Sequence, residues 1–226
     1  MILFSDLIYG ELTGPNTGRH IDAVIEYLDI HLSGFVSKYL MEYSEIENES
    51  GINQELSSYL ERNIDGEPFY FQAQNMTNTT NGQSPSVDIG VKTKVNISNF
   101  SIGETYFSIE AKRLPLKRER EKEYLIGHDK YCGGVERFKR GIHGKGQSIS
   151  AILGYVQQKN FDEWFIIINS WIDELISDPN QDIEWNENDK LQKVYIEPDT
   201  AKFISLNKRS DDSIKLYHFW LNLVVT

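Results

Sequence analysis

The chain predicts an α/β domain in which a central mixed sheet is flanked by helices. Its 226 residues suit one domain with its own core, plus elaborations. Apolar residues recur at three- and four-residue steps over 20–43 and 161–176, which marks helices. Short β-rich runs lie between them. The order is helix, helix, three strands, helices, then strands, a pattern that layers helices on a sheet.

The first helix spans 20–43. Ile21, Val24, Ile25 and Leu28 mark its buried face, Phe35, Val36, Tyr39 and Leu40 continue it, and Gly34 interrupts or bends it. The acidic stretch 42–49 reads as a turn leading into the next element. A second helix over 52–63 buries Ile52, Leu56, Tyr59 and Leu60. Glu55 then falls at the edge of that face and Glu61 points to solvent. Pro68 precedes a strand at 69–73, and 75–84, rich in Asn, Thr and Gly, is a loop. A strand carrying Asp88 follows, then a polar hairpin arm over 92–103, then the strand 106–110. Residues 114–122 form a charged connection or short helix, and 130–140 places Val135 and Phe138 among basic residues.

The text GIHGKGQS after it lacks the GK[ST] ending of a nucleotide-cradling loop. Residues 147–158 read as a helix with Ile149, Ile152, Leu153 and Val156 inside. The helix 161–176 is core and Pro179 closes it. Strands follow at 194–197 and 214–225, the last with His218 as a structural polar residue. No internal repeat, coiled coil or second domain is visible.

A single cysteine, Cys132, excludes an internal disulfide. No apolar run is long enough to span a bilayer, and no signal segment follows Met1, so a cytoplasmic location is expected. The net charge of −11 argues against broad nonspecific nucleic-acid binding. Its distribution changes that view. Residues 112–145 hold eleven Lys/Arg against five acids, a local +6 that leaves −17 on the rest. This island is a candidate phosphate-contacting surface, with Arg113, Lys117, Arg118, Arg137, Lys139, Arg140 and Lys145 as its contacts. The competing reading is a solvated, salt-bridged face.

Immediately before the island stand Asp88, on one strand, and Glu110-Ala111-Lys112, at the end of another. Residues two apart leave the same sheet face. Two carboxylates and an ammonium make a poor core but suit a divalent cation beside phosphate. Asp88 and Glu110 are the candidate metal ligands, Lys112 the group that orients water or stabilises phosphate charge, and Glu55 a further catalytic or metal-binding acid.

On PSVD at 85–88, EAK at 110–112 and the helix with Glu55, the chain resembles the PD-(D/E)XK nuclease superfamily. The resemblance implies a restriction-endonuclease-like core of order αβββαβ, about residues 50–197, inside a single domain 1–226. The N-terminal helix and the last strands are then additions. It implies a Mg²⁺-dependent endonuclease, with Mn²⁺ as substitute, acting on nucleic acid, DNA first, in restriction or phage defence. Asp88 and Glu110 carry over as metal ligands, Lys112 as the catalytic lysine, Glu55 as the helix acid and Gln157 as an accessory polar position. Pro85 is two residues removed from Asp88, where the family name has them adjacent. A homodimer or a protein partner in a larger complex fits an acidic chain that must hold DNA. A catalytically inactive nucleic-acid-binding domain and an acidic interaction protein stay open beside this reading.

Overall fold

The computed structural model describes residues 17–76, 86–97, 99–115, 118–128 and 131–225. Pro85 and Lys117 lie outside the described residues, as does the side chain of Arg118.

Helix α1 (Thr17–Lys38) continues as a π-helical turn, Tyr39–Tyr43, and α2 spans Glu49–Arg62. Then come β1 (Phe69–Met76), β2 (Ser86–Thr93), β3 (Thr105–Leu114), a 3₁₀ segment (Arg118–Tyr124) and α3 (Gly134–Lys139). Strand β4 (Ile149–Val156), α4 (Phe161–Ser177), β5 (Gln192–Ile196), β6 (Thr200–Lys208) and β7 (Ser213–Asn222) complete the chain. The strands form one mixed seven-stranded sheet in the order β1-β2-β3-β4-β7-β6-β5. The β3–β4 and β4–β7 pairs are parallel and the other four antiparallel.

Side chains from the two sheet faces feed two cores. Phe107, Ile109 and Ala111 of β3 pack under α1 and α2 with Ile89, Leu153 and Tyr155. On the other face Ile152, Val156, Phe203 and Trp220 pack with Phe138, Trp164 and Ile168, beneath α3 and α4.

The expected helix over 147–158 is the central strand β4. All eight of its residues are buried, because a parallel strand flanked by two others is covered on both faces. Its near-continuous apolar text also satisfies three- and four-residue steps, so periodicity alone misassigns it. Strand β6, unassigned from sequence, lies between β7 and edge strand β5. Gly34 sits within α1 and gives room for a close approach: a Cβ there would meet the Tyr59 hydroxyl at 2.3 Å. Glu61 does not simply face solvent, because its carboxylate accepts the N–H of Phe71 in β1.

Candidate active site

The site is built where the β2–β3 ladder stops. The two strands pair from Ile89–Ile109 back toward the hairpin. One step further, the Asp88 carboxylate replaces a ladder partner and accepts the Ala111 N–H at 2.8 Å. Alternation along β3 sends Ile109 and Ala111 into the core beneath α1 and α2. It sends Glu110 and Lys112 to the opposite face, over which α3 and the 3₁₀ segment pass. Asp88, on β2, and Glu110 and Lys112, on the adjacent β3, thus lie at the same end of the ladder.

Glu110 is fully buried and Lys112 is 6% exposed. The Lys112 ammonium donates to Glu110 Oε1 at 3.0 Å and lies 3.5 Å from Glu49 Oε1. Arg137, on α3, donates from Nη1 to the same Glu110 oxygen at 2.8 Å. His143 brings Nε2 to 3.3 Å from Glu110 Oε2 without the alignment of a hydrogen bond. Oε2 is therefore a buried carboxylate oxygen that receives no hydrogen bond.

The charges set one another. Burial opposes ionisation of Glu110, yet Lys112, His143 and Arg137 outweigh it and hold the carboxyl down at about 2. Asp88 has no such company. Burial first, and then the Glu110 charge, push it up to about 7 against the pull of Lys112. Burial likewise raises Glu49, with Glu110 adding to it and Lys112 opposing. Burial disfavours the Lys112 ammonium, but Glu110, Glu49 and Asp88 outweigh it and raise its pKa.

Glu49, which sequence reasoning left in a turn, is the helical carboxylate at the centre, and Glu55 is not. Asn48 caps α2 by accepting the Gly51 N–H at 2.8 Å, so the helix begins at Glu49. Glu49 then shares a face with buried Ile52, Asn53 and Leu56. Glu55, six residues on, lies about 120° around the helix. Among the described residues it makes no hydrogen bond or ion pair with Asp88, Glu110 or Lys112. The asparagine before Glu49 was the available signal. His143 had none, because a tertiary contact places it.

That contact is Arg209. It stands in the turn that joins β6 to β7, and its buried guanidinium donates to the carbonyls of Phe138 (2.9 Å), Gly144 (3.0 Å) and Gln147 (3.2 Å). Gly144 has φ +61, and a Cβ there would crowd Ser150, Phe138 and Arg209 at 3.1 to 3.3 Å. The glycine-rich text is thus a turn clamped by Arg209 that delivers His143 to Glu110. At the start of α3, Gly133 sits so close to Leu125 and Ile126 that a Cβ would lie 2.3 Å from the Ile126 Cα. This seats Arg137 above the site.

The basic island is mostly paired within the protein. Lys139 is buried against Asp189 at 2.6 Å and over the Trp185 ring, so it is removed from the expected phosphate contacts. Arg140 bonds Glu136 and Asp182 and stacks on Tyr131 at 3.7 Å. Arg113 donates to Gln157 Oε1 at 2.7 Å. Gln157 follows strand β4 rather than lying on a helix, and these two residues line a separate cleft with Tyr39 and Glu47. Lys145 is exposed.

The donors present fit a hard divalent cation. Asp88 and Glu110 supply carboxylate oxygens, and Glu110 Oε2 is buried with His143 Nε2 3.3 Å away. Among the described residues no three or more His, Cys, Asp or Glu converge to hold an ion by themselves. Two carboxylates completed by water and substrate oxygens are a usual Mg²⁺ arrangement. Among the described residues no helix is long and apolar enough to cross a membrane. No protein-family model, curated protein or solved structure matches this chain.

Proposed function

We propose that the chain is a metal-dependent nuclease of the PD-(D/E)XK type that hydrolyses phosphodiester bonds, DNA being the first substrate to test. The observation that carries this reading is the convergence of Asp88, Glu110 and Lys112 at the open end of the β2–β3 ladder, with Glu110 Oε2 buried and unbonded. The element order from α2 to β4, helix, three strands, helix, strand, supports it, over 49–156 rather than the expected 50–197, whose last strand is the edge strand β5.

Asp88 and Glu110 would hold Mg²⁺, or Mn²⁺ in its place, and Glu49, 3.5 Å from the Lys112 ammonium, would help position that lysine. The bound ion would supply Lewis-acid polarisation of the scissile phosphate. Lys112, kept as an ammonium by three carboxylates, donates to a phosphate oxygen as negative charge grows there during attack by water. Arg137 and His143 hold Glu110 ionised and aimed. Of the basic island, Lys139 and Arg140 are engaged internally, and Lys145 is exposed. A second copy or a protein partner would supply the rest of that surface, within the cytoplasm.

A test uses supercoiled plasmid, single-stranded DNA and RNA with Mg²⁺, Mn²⁺ or EDTA. Wild type is expected to cleave at least one substrate, and EDTA, Lys112→Ala and Glu110→Ala each abolish cleavage. Equal cleavage by all three proteins refutes the assignment. The second reading, an acidic interaction protein, draws on the internal pairing of the island and the −17 elsewhere. It predicts no cleavage and competition with DNA for a basic partner.

A further inference from the structure

We propose that Arg137 is a conditional counter-ion: it neutralises Glu110 while no divalent cation is bound, and passes to a substrate phosphate once one is. The inference rests on the metal-dependent reading above and assigns a role inside it.

Glu110 carries one negative charge and meets two full cations on a single oxygen, Lys112 at 3.0 Å and Arg137 at 2.8 Å. These two are not equivalent. The Lys112 side chain is 7% exposed and is shared with Glu49. The Arg137 side chain is 29% exposed, and Glu110 is the one carboxylate it pairs with among the described residues. Its other contacts are weak, Nε to the Tyr131 carbonyl at 3.4 Å and Nη1 beside His143 Nε2 at 3.3 Å. A guanidinium has five N–H donors, and the two on Nη2 of this one make no hydrogen bond among the described residues.

A divalent cation on Glu110 would set two positive charges against the guanidinium across a few ångströms of buried space. Arg137 is the partner freer to yield, because its side chain is 29% exposed against 7% for Lys112. A phosphodiester entering the same centre offers two non-bridging oxygens that the planar guanidinium can engage together. His143, buried and held by the Arg209-clamped turn, stays behind as the neighbour of Glu110. Cation binding and phosphate binding would thereby be coupled through one side chain.

The experiment measures binding, so hydrolysis does not enter. Calorimetry gives Mn²⁺ affinity without nucleic acid. Fluorescence anisotropy gives the affinity for a labelled DNA duplex with and without Ca²⁺. Wild type, Arg137→Gln, Arg137→Lys and Glu110→Gln are compared after thermal melts have established folding. Arg137→Gln should bind Mn²⁺ about fivefold or more tightly than wild type, in the range of ordinary coupling between sites. It should lose most of the Ca²⁺-dependent gain in DNA affinity. Arg137→Lys keeps the charge but not the two-pronged donor, and should bind Mn²⁺ as wild type does while losing much of the DNA gain. If wild type binds Mn²⁺ through Glu110 but Arg137→Gln binds it no more tightly, or keeps the full gain, the proposal is overturned alone. If wild type binds no cation, or Glu110→Gln binds it equally, the nuclease reading falls and the proposal falls with it.

Discussion

Replacing Asp88 by Asn should stabilise the cation-free protein, and more so as pH rises. Asp88 is driven from an ordinary 3.8 up to about 7 by burial and by the Glu110 charge. A carboxyl whose folded pKa is raised costs stability as it ionises. The cost is absent below the unfolded pKa, grows as pH climbs between the two values, and levels off above the folded one. The displacement corresponds to about 4 kcal/mol at pH 8 and about 1.5 kcal/mol at pH 5. Asn keeps a carbonyl oxygen for the Ala111 N–H that Asp88 accepts at 2.8 Å, so the strand-end contact survives the substitution. The gap between variant and wild type should therefore widen by about 2–3 kcal/mol from pH 5 to pH 8. For a chain of this length that is a gain of about 5 °C or more in Tm. Urea unfolding in EDTA at the two pH values measures it. A pH-independent gap, or an Asn variant less stable at pH 8, refutes the electrostatic account of the site.

Lys139→Met should cost roughly 3–5 kcal/mol in urea unfolding, because it strands buried Asp189. The same variant should leave DNA affinity unchanged, and a large loss of affinity in a fully folded variant would return Lys139 to the phosphate-binding set. Burial holds His218 down at about 3, neutral between Tyr124 and Ser205. Its stability contribution is present above the unfolded value near 6.5 and is lost as pH falls toward 3, at about 1.4 kcal/mol per pH unit. His218→Gln should flatten that part of the stability–pH curve, and an unchanged slope would contradict it. Gly133→Ala forces a Cβ onto the Ile126 backbone and should unseat α3. Fragments from limited proteolysis around α3 would report this, and a wild-type pattern would count against it.

Much of the site was legible in the sequence because strand alternation is local. Glu110 and Lys112 share a face whatever surrounds them, and Asp88 needs only that its strand be the neighbour of theirs. Glu49 was half legible, through the Asn48 cap. Apolar periodicity starts the helix at Ile52 and so points to Glu55, whereas the cap starts it three residues earlier, at Glu49. The basic island was visible as composition, but composition does not say whether a cation meets solvent or a carboxylate fifty residues away, as Lys139 does with Asp189.

The sequence by itself determined the helices with one apolar stripe, the antiparallel strands before the site, the alternation that pairs Glu110 with Lys112, and the balance of charge. Only the tertiary structure decided that 149–156 is a strand, since burial on both faces erases the periodicity that separates strand from helix. It alone brought Arg137 and His143 to Glu110, because a glycine-rich turn takes its course from the buried Arg209 that grips its carbonyls. It also set which carboxylate stays ionised. Asp88 and Glu110 are both acids on neighbouring strands, and what separates them is the distance of each from Lys112, Arg137 and His143.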